Sequence, residues 1–259
     1  MISFLKMNAA GNDFVIFDAR KNNISLTSEN IKKISNRKNI GCDQLIIIKN
    51  DQNKSDCFME IYNCDGSQSS SCGNATRCVA SILFSSSLNQ IIKIRTNSGI
   101  VECKKNDQLI SVNMGKPFYS NKNFVFNNYN FFCIDIGNPH AVCFLKDSID
   151  NDSFYNIGPK VENNSYFPYK TNVEFAKIIN NDLIEVRVWE RGAGETLACG
   201  SGACAVAYVA ITQGYINSNK VTTKFKGGEI HLELIDNFIL MTGGYQKIFE
   251  GIIDEKFLN

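Results

Sequence analysis

One passage of this sequence occurs twice, and that repeat limits the fold more than any other feature. Asn63-Cys-Asp-Gly-Ser-Gln-Ser-Ser-Ser-Cys72-Gly-Asn-Ala-Thr-Arg-Cys-Val-Ala80 runs from a polar loop into a cysteine, then turns apolar on helical spacing. Glu190-Arg-Gly-Ala-Gly-Glu-Thr-Leu-Ala-Cys199-Gly-Ser-Gly-Ala-Cys204-Ala-Val-Ala207 does the same. Other landmarks recur at almost the same interval. Gly11-Asn12 answers Gly137-Asn138 (138 − 12 = 126), Cys72 answers Cys199 (199 − 72 = 127), and Gly99 answers Gly228 (228 − 99 = 129). Asp43-Gln-Leu-Ile-Ile answers Asn172-Val-Glu-Phe-Ala (172 − 43 = 129). A fixed period near half the length signals a duplicated unit. Two domains related by a pseudo-two-fold axis are predicted, with a ligand expected in the cleft between them. Lys116-Pro117 marks the boundary. The domains are placed at 1–115 and 116–245.

Each half reads as strands with two helices. In the first, Ile24 to Asn36 carries a helical pattern, with Thr27 or Ser28 as N-cap. Strands are expected at Val15–Phe17, Leu45–Ile48 and Phe58–Tyr62, followed by a meander to Asn113. In the second, the Asn-rich tract 121–130 reads as a solvated loop, and Ile157-Gly158-Pro159 as the start of a short helix or loop.

Cys72 and Cys199 each fall where a loop becomes a helix. There the backbone N–H groups lack intrahelical partners and the dipole favours negative charge. A thiol so placed is a candidate nucleophile or base. Two thiols at equivalent positions can serve the two faces of one carbon. One takes a proton as thiolate while the other returns one as thiol, which inverts a stereocentre. Two structural cysteines, a disulfide, or one nucleophile are the rival readings. The N–H groups of Gly73-Asn74 and Gly200-Ser201 can hold a carboxylate, or only cap their helices. His140 can be a buried structural histidine or a group that tunes a thiol. Glu190-Arg191 can be a surface ion pair. With Asn12, Gln44, Asn63, Asn138 and Asn172 it can also form a shell for a zwitterion, Arg taking a carboxylate and Glu an ammonium.

Composition removes other classes. The net charge of +1 leaves no electrostatic footprint for nucleic acid or an anionic membrane. The N-terminal residues lack the apolar run of a signal peptide, and no stretch reaches membrane-span length. A cytoplasmic protein with reduced thiols is expected. The 10 cysteines include no Cys-x-x-Cys pair and are joined by only 2 histidines, so no metal site is expected. Apart from Cys72 and Cys199 they are read as core residues, Cys57, Cys103, Cys133 and Cys143 among them. The Gly-rich stretches fit neither a P-loop nor a dinucleotide fingerprint, and no cofactor is expected.

The motifs resemble those of the diaminopimelate epimerase family. The matching stretches are Gly11-Asn-Asp-Phe14, Gly41-Cys-Asp-Gln44, Asn63-Cys-Asp-Gly-Ser67, Cys72-Gly-Asn74, Arg77-Cys78, Gly137-Asn-Pro-His140, Asn172-Val-Glu-Phe175 and Glu190 through Gly200. The resemblance implies two α+β domains, each a mixed sheet curled like a barrel around a central helix, with the chain's end, about 246–259, returning to the first domain. It implies pyridoxal-independent interconversion of LL- and meso-diaminopimelate, for lysine and cell-wall precursors, by a homodimer. Cys72 and Cys199 would be the acid–base pair, with His140 and Glu190 influencing them. Gly73, Asn74, Gly200 and Ser201 would hold the reacting carboxylate. Asn12, Gln44, Asn63, Asn138, Asn172, Glu190 and Arg191 would hold the amino groups and the distal carboxylate. Three departures stand out: Met7-Asn-Ala-Ala-Gly11 replaces the usual Met-His-Gly-x-Gly, Gln68 stands where Glu is common, and Ser201 where Thr is common. Related racemases acting on proline or histidine derivatives are the nearest rivals, ahead of a binding protein without catalysis or a single-cysteine hydrolase.

Overall fold

The structure is a computed structural model and describes residues 1–52 and 55–258. Asn259, the last residue of the expected C-terminal segment, lies outside that range. In chain order the elements are β1 (Ile2–Ala9), β2 (Asn12–Asp18), α1 (Ser28–Ser35), β3 (Gln44–Lys49), β4 (Cys57–Asn63), β5 (Gln68–Ser69) and α2 (Gly73–Phe84). Then come β6 (Ile91–Thr96), β7 (Gly99–Asn106), β8 (Leu109–Asn113), β9 (Phe118–Tyr119), β10 (Phe124–Phe126), β11 (Tyr129–Asp135), β12 (Pro139–Leu145) and α3 (Asn151–Glu162). The chain continues with β13 (Asn172–Asn180), β14 (Leu183–Glu190), β15 (Gly194–Glu195), α4 (Gly200–Thr212), β16 (Lys220–Phe225), β17 (Gly228–Ile235), β18 (Phe238–Gly243) and β19 (Gln246–Ile253). The fold is α+β. It divides into two compact units, Met1–Val112 with Gly243–Asn259, and Asn113–Thr242. Among the described residues no helix is long and apolar enough to cross a membrane.

The two units repeat one wiring. In the first, β1 pairs antiparallel with β2, β2 parallel with β3, β3 antiparallel with β4, and β4 parallel with β6, which leads into the β6–β7–β8 meander. In the second, β11, β12, β13, β14, β16, β17 and β18 follow with the same directions. Each parallel step needs a crossover, and α1, α2, α3 and α4 supply them. The ladders align the halves residue by residue. Phe14 faces Gln44, Gln44 faces Asn63, and His140 faces Asn172. Gln44 is therefore the counterpart of Asn172 (172 − 44 = 128), one residue from the register expected by matching Asp43. His140 then matches Phe14, and Glu174 matches Ile46.

Alternation gives each sheet two buried faces. In the first unit Val15, Phe17, Leu45 and Ile47 pack with Ile31 and Ile34 of α1. In the second, Ala141, Cys143, Val173 and Phe175 pack with Phe154, Ile157 and Val161 of α3. The residues between them point the other way, toward α2 and α4. Those two helices are apolar on nearly every side. Val79, Ala80 and Leu83 of α2, and Ala203, Val206 and Ala210 of α4, are buried. A helix buried all round must be enclosed. α4 touches β11 and β12 at one end of its sheet and β16 and β17 toward the other, so the sheet curls around it. α2 is held likewise by β1, β6 and β7.

Several local expectations change. Thr27 is the N-cap of α1, in a capping box with Asn30, and Ser28 lies inside the helix. The Asn-rich tract is no simple loop, since β10 and β11 form a hairpin across it. Its turn residues Asn127 and Asn128 both have positive φ, the conformation two-residue hairpins require. Asp150 caps α3 well before Ile157, and Pro159 falls inside the helix. Cys57, Cys103, Cys133 and Cys143 are buried, but Cys64 is exposed, contrary to its reading as a core residue.

Candidate active site

Each unit carries its thiol at the N-cap of its central helix. Cys72 has extended backbone geometry, and its Sγ accepts from the Ala75 N–H at 3.4 Å. Cys199 does the same with the Gly202 N–H, also at 3.4 Å. Sulfur thus takes the place that a Ser or Asp oxygen takes in an ordinary cap. Cys72 is partly exposed, and Cys199 is buried.

The first unit carries a set of amides. Gln44 and Asn63 face each other on adjacent strands, and Gln44 Nε2 donates to Asn63 Oδ1 at 3.0 Å. Asn63 Nδ2 donates in turn to Ser67 Oγ at 3.0 Å. Asn12 opens β2 after a tight turn in which Ala10 and Gly11 both have positive φ. Asn8, at the first departure from the family pattern, accepts from the Gly11 N–H at 3.1 Å and so closes this turn. Arg37 donates to both Asp13 and Asp43, and Lys6 donates to Asp13, which ties the segments carrying Asn12 and Gln44 together. Asn12 Oδ1 and Gln44 Oε1 are buried acceptors without a partner among the described residues. Buried polar atoms are nearly always satisfied, so these two carbonyls mark a place for a donor. Gly73 and Asn74 are buried in the first turn of α2. Asn74 Oδ1 accepts from Nη2 of the fully buried Arg77 at 2.8 Å, and Arg77 Nε donates to the Gly244 carbonyl at 3.2 Å.

Around Cys199 the second unit gathers titratable groups. His140 lies in β12 and meets Glu174 of β13, with Nδ1 2.7 Å from Glu174 Oε1 and both side chains fully buried. His140 Nε2 lies 3.1 Å from Asn138 Oδ1, and Asn138 Nδ2 is 3.3 Å from Ser201 Oγ. Ser201 Oγ is 3.5 Å from Cys199 Sγ. Glu190 ends β14, and its Oε1 accepts from Thr196 Oγ1. Burial pushes the Cys199 thiol well above the usual thiol range, and the carboxyls of Glu190 and Glu174 push it further. The Glu190 carboxyl is also raised, by burial first and then by Glu174, while Thr196, His140 and the Cys199 thiol oppose the rise. Asn172 Oδ1 accepts from the Arg191 N–H at 3.0 Å. Arg191 is exposed, and its Nη1 donates to the Tyr169 carbonyl at 3.3 Å. Glu162 holds this loop by accepting from Trp189 Nε1 and the Gly192 N–H, each at 2.8 Å.

The residues singled out by sequence thus form two groups: Asn12, Gln44, Asn63, Cys72, Gly73 and Asn74 in the first unit, and Asn138, His140, Asn172, Glu190, Arg191, Cys199, Gly200 and Ser201 in the second. Two charged groups with no exposure at all, Arg77 and Glu174, had been given no role. Arg77 stands alone as a charge in an otherwise apolar helix, and Glu174 is flanked by the apolar Val173, Phe175 and Ala176 in its strand. Such isolation is the signal that could have found them.

The chain is similar to one known family over nearly its whole length. The family model described as diaminopimelate epimerase matches residues 4–119 and 132–248. The chain belongs to the diaminopimelate epimerase family. It is 38% identical to a diaminopimelate epimerase of Methanococcus maripaludis strain C6, over 98% of this chain and 100% of that one. It is 39% identical to a diaminopimelate epimerase of Acidiphilium cryptum, over 98% and 97%. Among solved structures, a probable proline racemase from Agrobacterium radiobacter K84 superposes with a TM-score of 0.74 at 12% identity, over 98% of this chain and 93% of that one. At that identity the likeness speaks for the fold alone, which the racemase shares with this family.

Proposed function

We propose that this chain is an isomerase that interconverts LL- and meso-diaminopimelate, with Cys72 and Cys199 as its two bases. One observation carries the reading: each thiol is the N-cap of the central helix of its unit, at equal steps of a repeated scaffold. An amino acid's α-proton leaves only if the charge spreading onto the carboxylate is held. Backbone N–H groups at a helix start do that, and Gly73, Asn74, Gly200 and Ser201 are assigned this task. One thiolate takes the proton from one face and the other thiol returns a proton to the opposite face. Both proton carriers are side chains, so the reaction as proposed needs no cofactor.

Asn12 and Gln44, with Asn63, Asn138 and Asn172, are assigned to the polar ends of the substrate. The unpartnered carbonyl oxygens of Asn12 and Gln44 suit an ammonium group, which only donates. Arg191 is assigned to the distal carboxylate, and Glu190 to an ammonium and to tuning Cys199. His140 is assigned to the tuning of the thiols. A cytoplasmic homodimer completes the reading.

The test is incubation of the reduced protein with LL-diaminopimelate in deuterated water. Deuterium should enter at the α-carbon as the meso isomer forms. Absence of exchange, or faster turnover of proline or histidine, would reject the assignment.

A further inference from the structure

Glu174 sits where nothing in the proposed reaction requires a carboxyl. Its Oε1 meets His140 Nδ1 at 2.7 Å, and its Oε2 has no partner among the described residues. The helix makes room for it: a Cβ added at Gly202 would lie 2.7 Å from Glu174 Oε1. From His140 Nε2 a line of polar groups continues through Asn138 and Ser201 to Cys199, at 3.1, 3.3 and 3.5 Å. The counterparts of His140, Glu174 and Gly202 in the first unit are Phe14, Ile46 and Ala75, so the duplicated scaffold does not need the His140–Glu174 pair in order to fold. Given Cys199 as a base, we propose that Glu174 is a positioning residue that keeps the His140 proton on Nδ1, leaving Nε2 as the nitrogen whose protonation is matched to that of Cys199.

A carboxylate accepts only, so it fixes a proton on Nδ1. With Nε2 bare, the Asn138 amide donates to it and turns its oxygen to the Ser201 hydroxyl. Ser201 then accepts from the Cys199 S–H. With Nε2 protonated, Asn138 Oδ1 accepts from the ring, Nδ2 donates to Ser201, and Ser201 donates to the Cys199 thiolate. Turning one amide and one hydroxyl therefore suits the line to either state of the thiol. Glu174, Glu190, His140 and Cys199 are the titratable groups that act on one another here. Among the described residues, no lysine or arginine side chain hydrogen-bonds to this line.

The chain has only two histidines, so 15N-histidine labelling separates His140 from His231 directly. In the substrate-free protein the neutral His140 ring should carry its proton on Nδ1. An Nε2–H tautomer overturns the proposal. In Glu174→Gln that signature should be lost, and alkylation of Cys199 at pH 7 should slow about tenfold while Cys72 is unchanged. A carboxyl acting only as a nearby negative charge would do the reverse, so faster or unchanged alkylation of Cys199 also overturns it. In turnover, kcat should fall about 10–100-fold with KM nearly constant, the loss typical when the partner orienting a functional histidine is removed. The first two readouts use no substrate. They remain decisive if diaminopimelate is not turned over, and activity with an Nε2–H tautomer would reject this proposal alone.

Discussion

The Cys72 and Cys199 half-sites share a backbone and differ in charge. Both thiols cap a buried helix through the N–H three residues on. Near Cys199 lie a histidine and two carboxyls, His140, Glu174 and Glu190, while the matching strand positions of the first unit hold Phe14, Ile46 and Asn63. The first unit instead buries the guanidinium of Arg77, whose counterpart in α4 is Cys204 (204 − 77 = 127). Duplication reproduces what depends on backbone: the cap, the N–H groups and the crossovers. It leaves the interior side chains free to diverge, and a few buried charges then make equivalent thiols chemically unequal. A reaction that needs one thiolate and one thiol at once has a use for that inequality.

The comparison is broken most severely at the thiols themselves. Cys72→Ala and Cys199→Ala should each lower kcat by roughly 10²–10⁴, the usual worth of a positioned acid or base. Full activity in either variant, measured by formation of the meso isomer, would mean that the halves do not act as a pair.

Removing the guanidinium should act on the first unit. Arg77→Met leaves Asn74 Oδ1 and the Gly244 carbonyl without this donor, at about 1–3 kcal/mol for each buried group left unpaired. Urea unfolding checks this, and unchanged stability would show that the buried charge holds nothing in place.

Gly202 and Ala75 are equivalent positions with opposite tolerance. Gly202→Ala puts a methyl against Glu174 and should cost about 1–3 kcal/mol, as overpacking does. Ala75→Gly should cost at most about 1 kcal/mol through helix propensity. Equal costs in thermal unfolding would remove the steric account of the asymmetry.

The raised Cys199 thiol should form thiolate only as pH climbs above the ordinary thiol range. Glu190→Gln removes one group that pushes it up, so the midpoint of Cys199 alkylation should move down while that of Cys72 stays in place. A shift in both would show that the influence is not local to the second unit.

The smallest expected effect lies at the surface. Burial raises the Glu195 carboxyl, but Lys226, Tyr155 and Arg187 outweigh it and hold the group at about 2, against an ordinary 4.5. A depressed carboxylate adds stability above its unfolded value and loses it as pH falls toward the folded one. Glu195→Gln should thus be less stable than the wild type at pH 6, and the gap should close between about pH 4.5 and pH 2. A gap that persists at pH 2 would mean that packing, not charge, is at work.

The sequence by itself determined the duplication, the two Cys-Gly helix starts and most strands. Each of these is written in local order: spacing, periodicity and the turn from polar to apolar residues. It missed the Asn127-Asn128 hairpin because a run of asparagines reads as solvated until both residues are seen at positive φ. It placed the Asp43 repeat one residue off, because register belongs to the ladder, where Gln44 pairs with Phe14 and Asn63. Only the tertiary structure decided what Glu174 and Arg77 do. A buried charge takes its meaning from its partners, and apart from Asn74, in the same helix as Arg77, these come from distant parts of the chain: His140 lies 34 residues before Glu174, and Gly244 lies 167 after Arg77. Burial and pairing arise when strands and helices close around one another, so the electrostatic difference between the two thiols enters the molecule at that step.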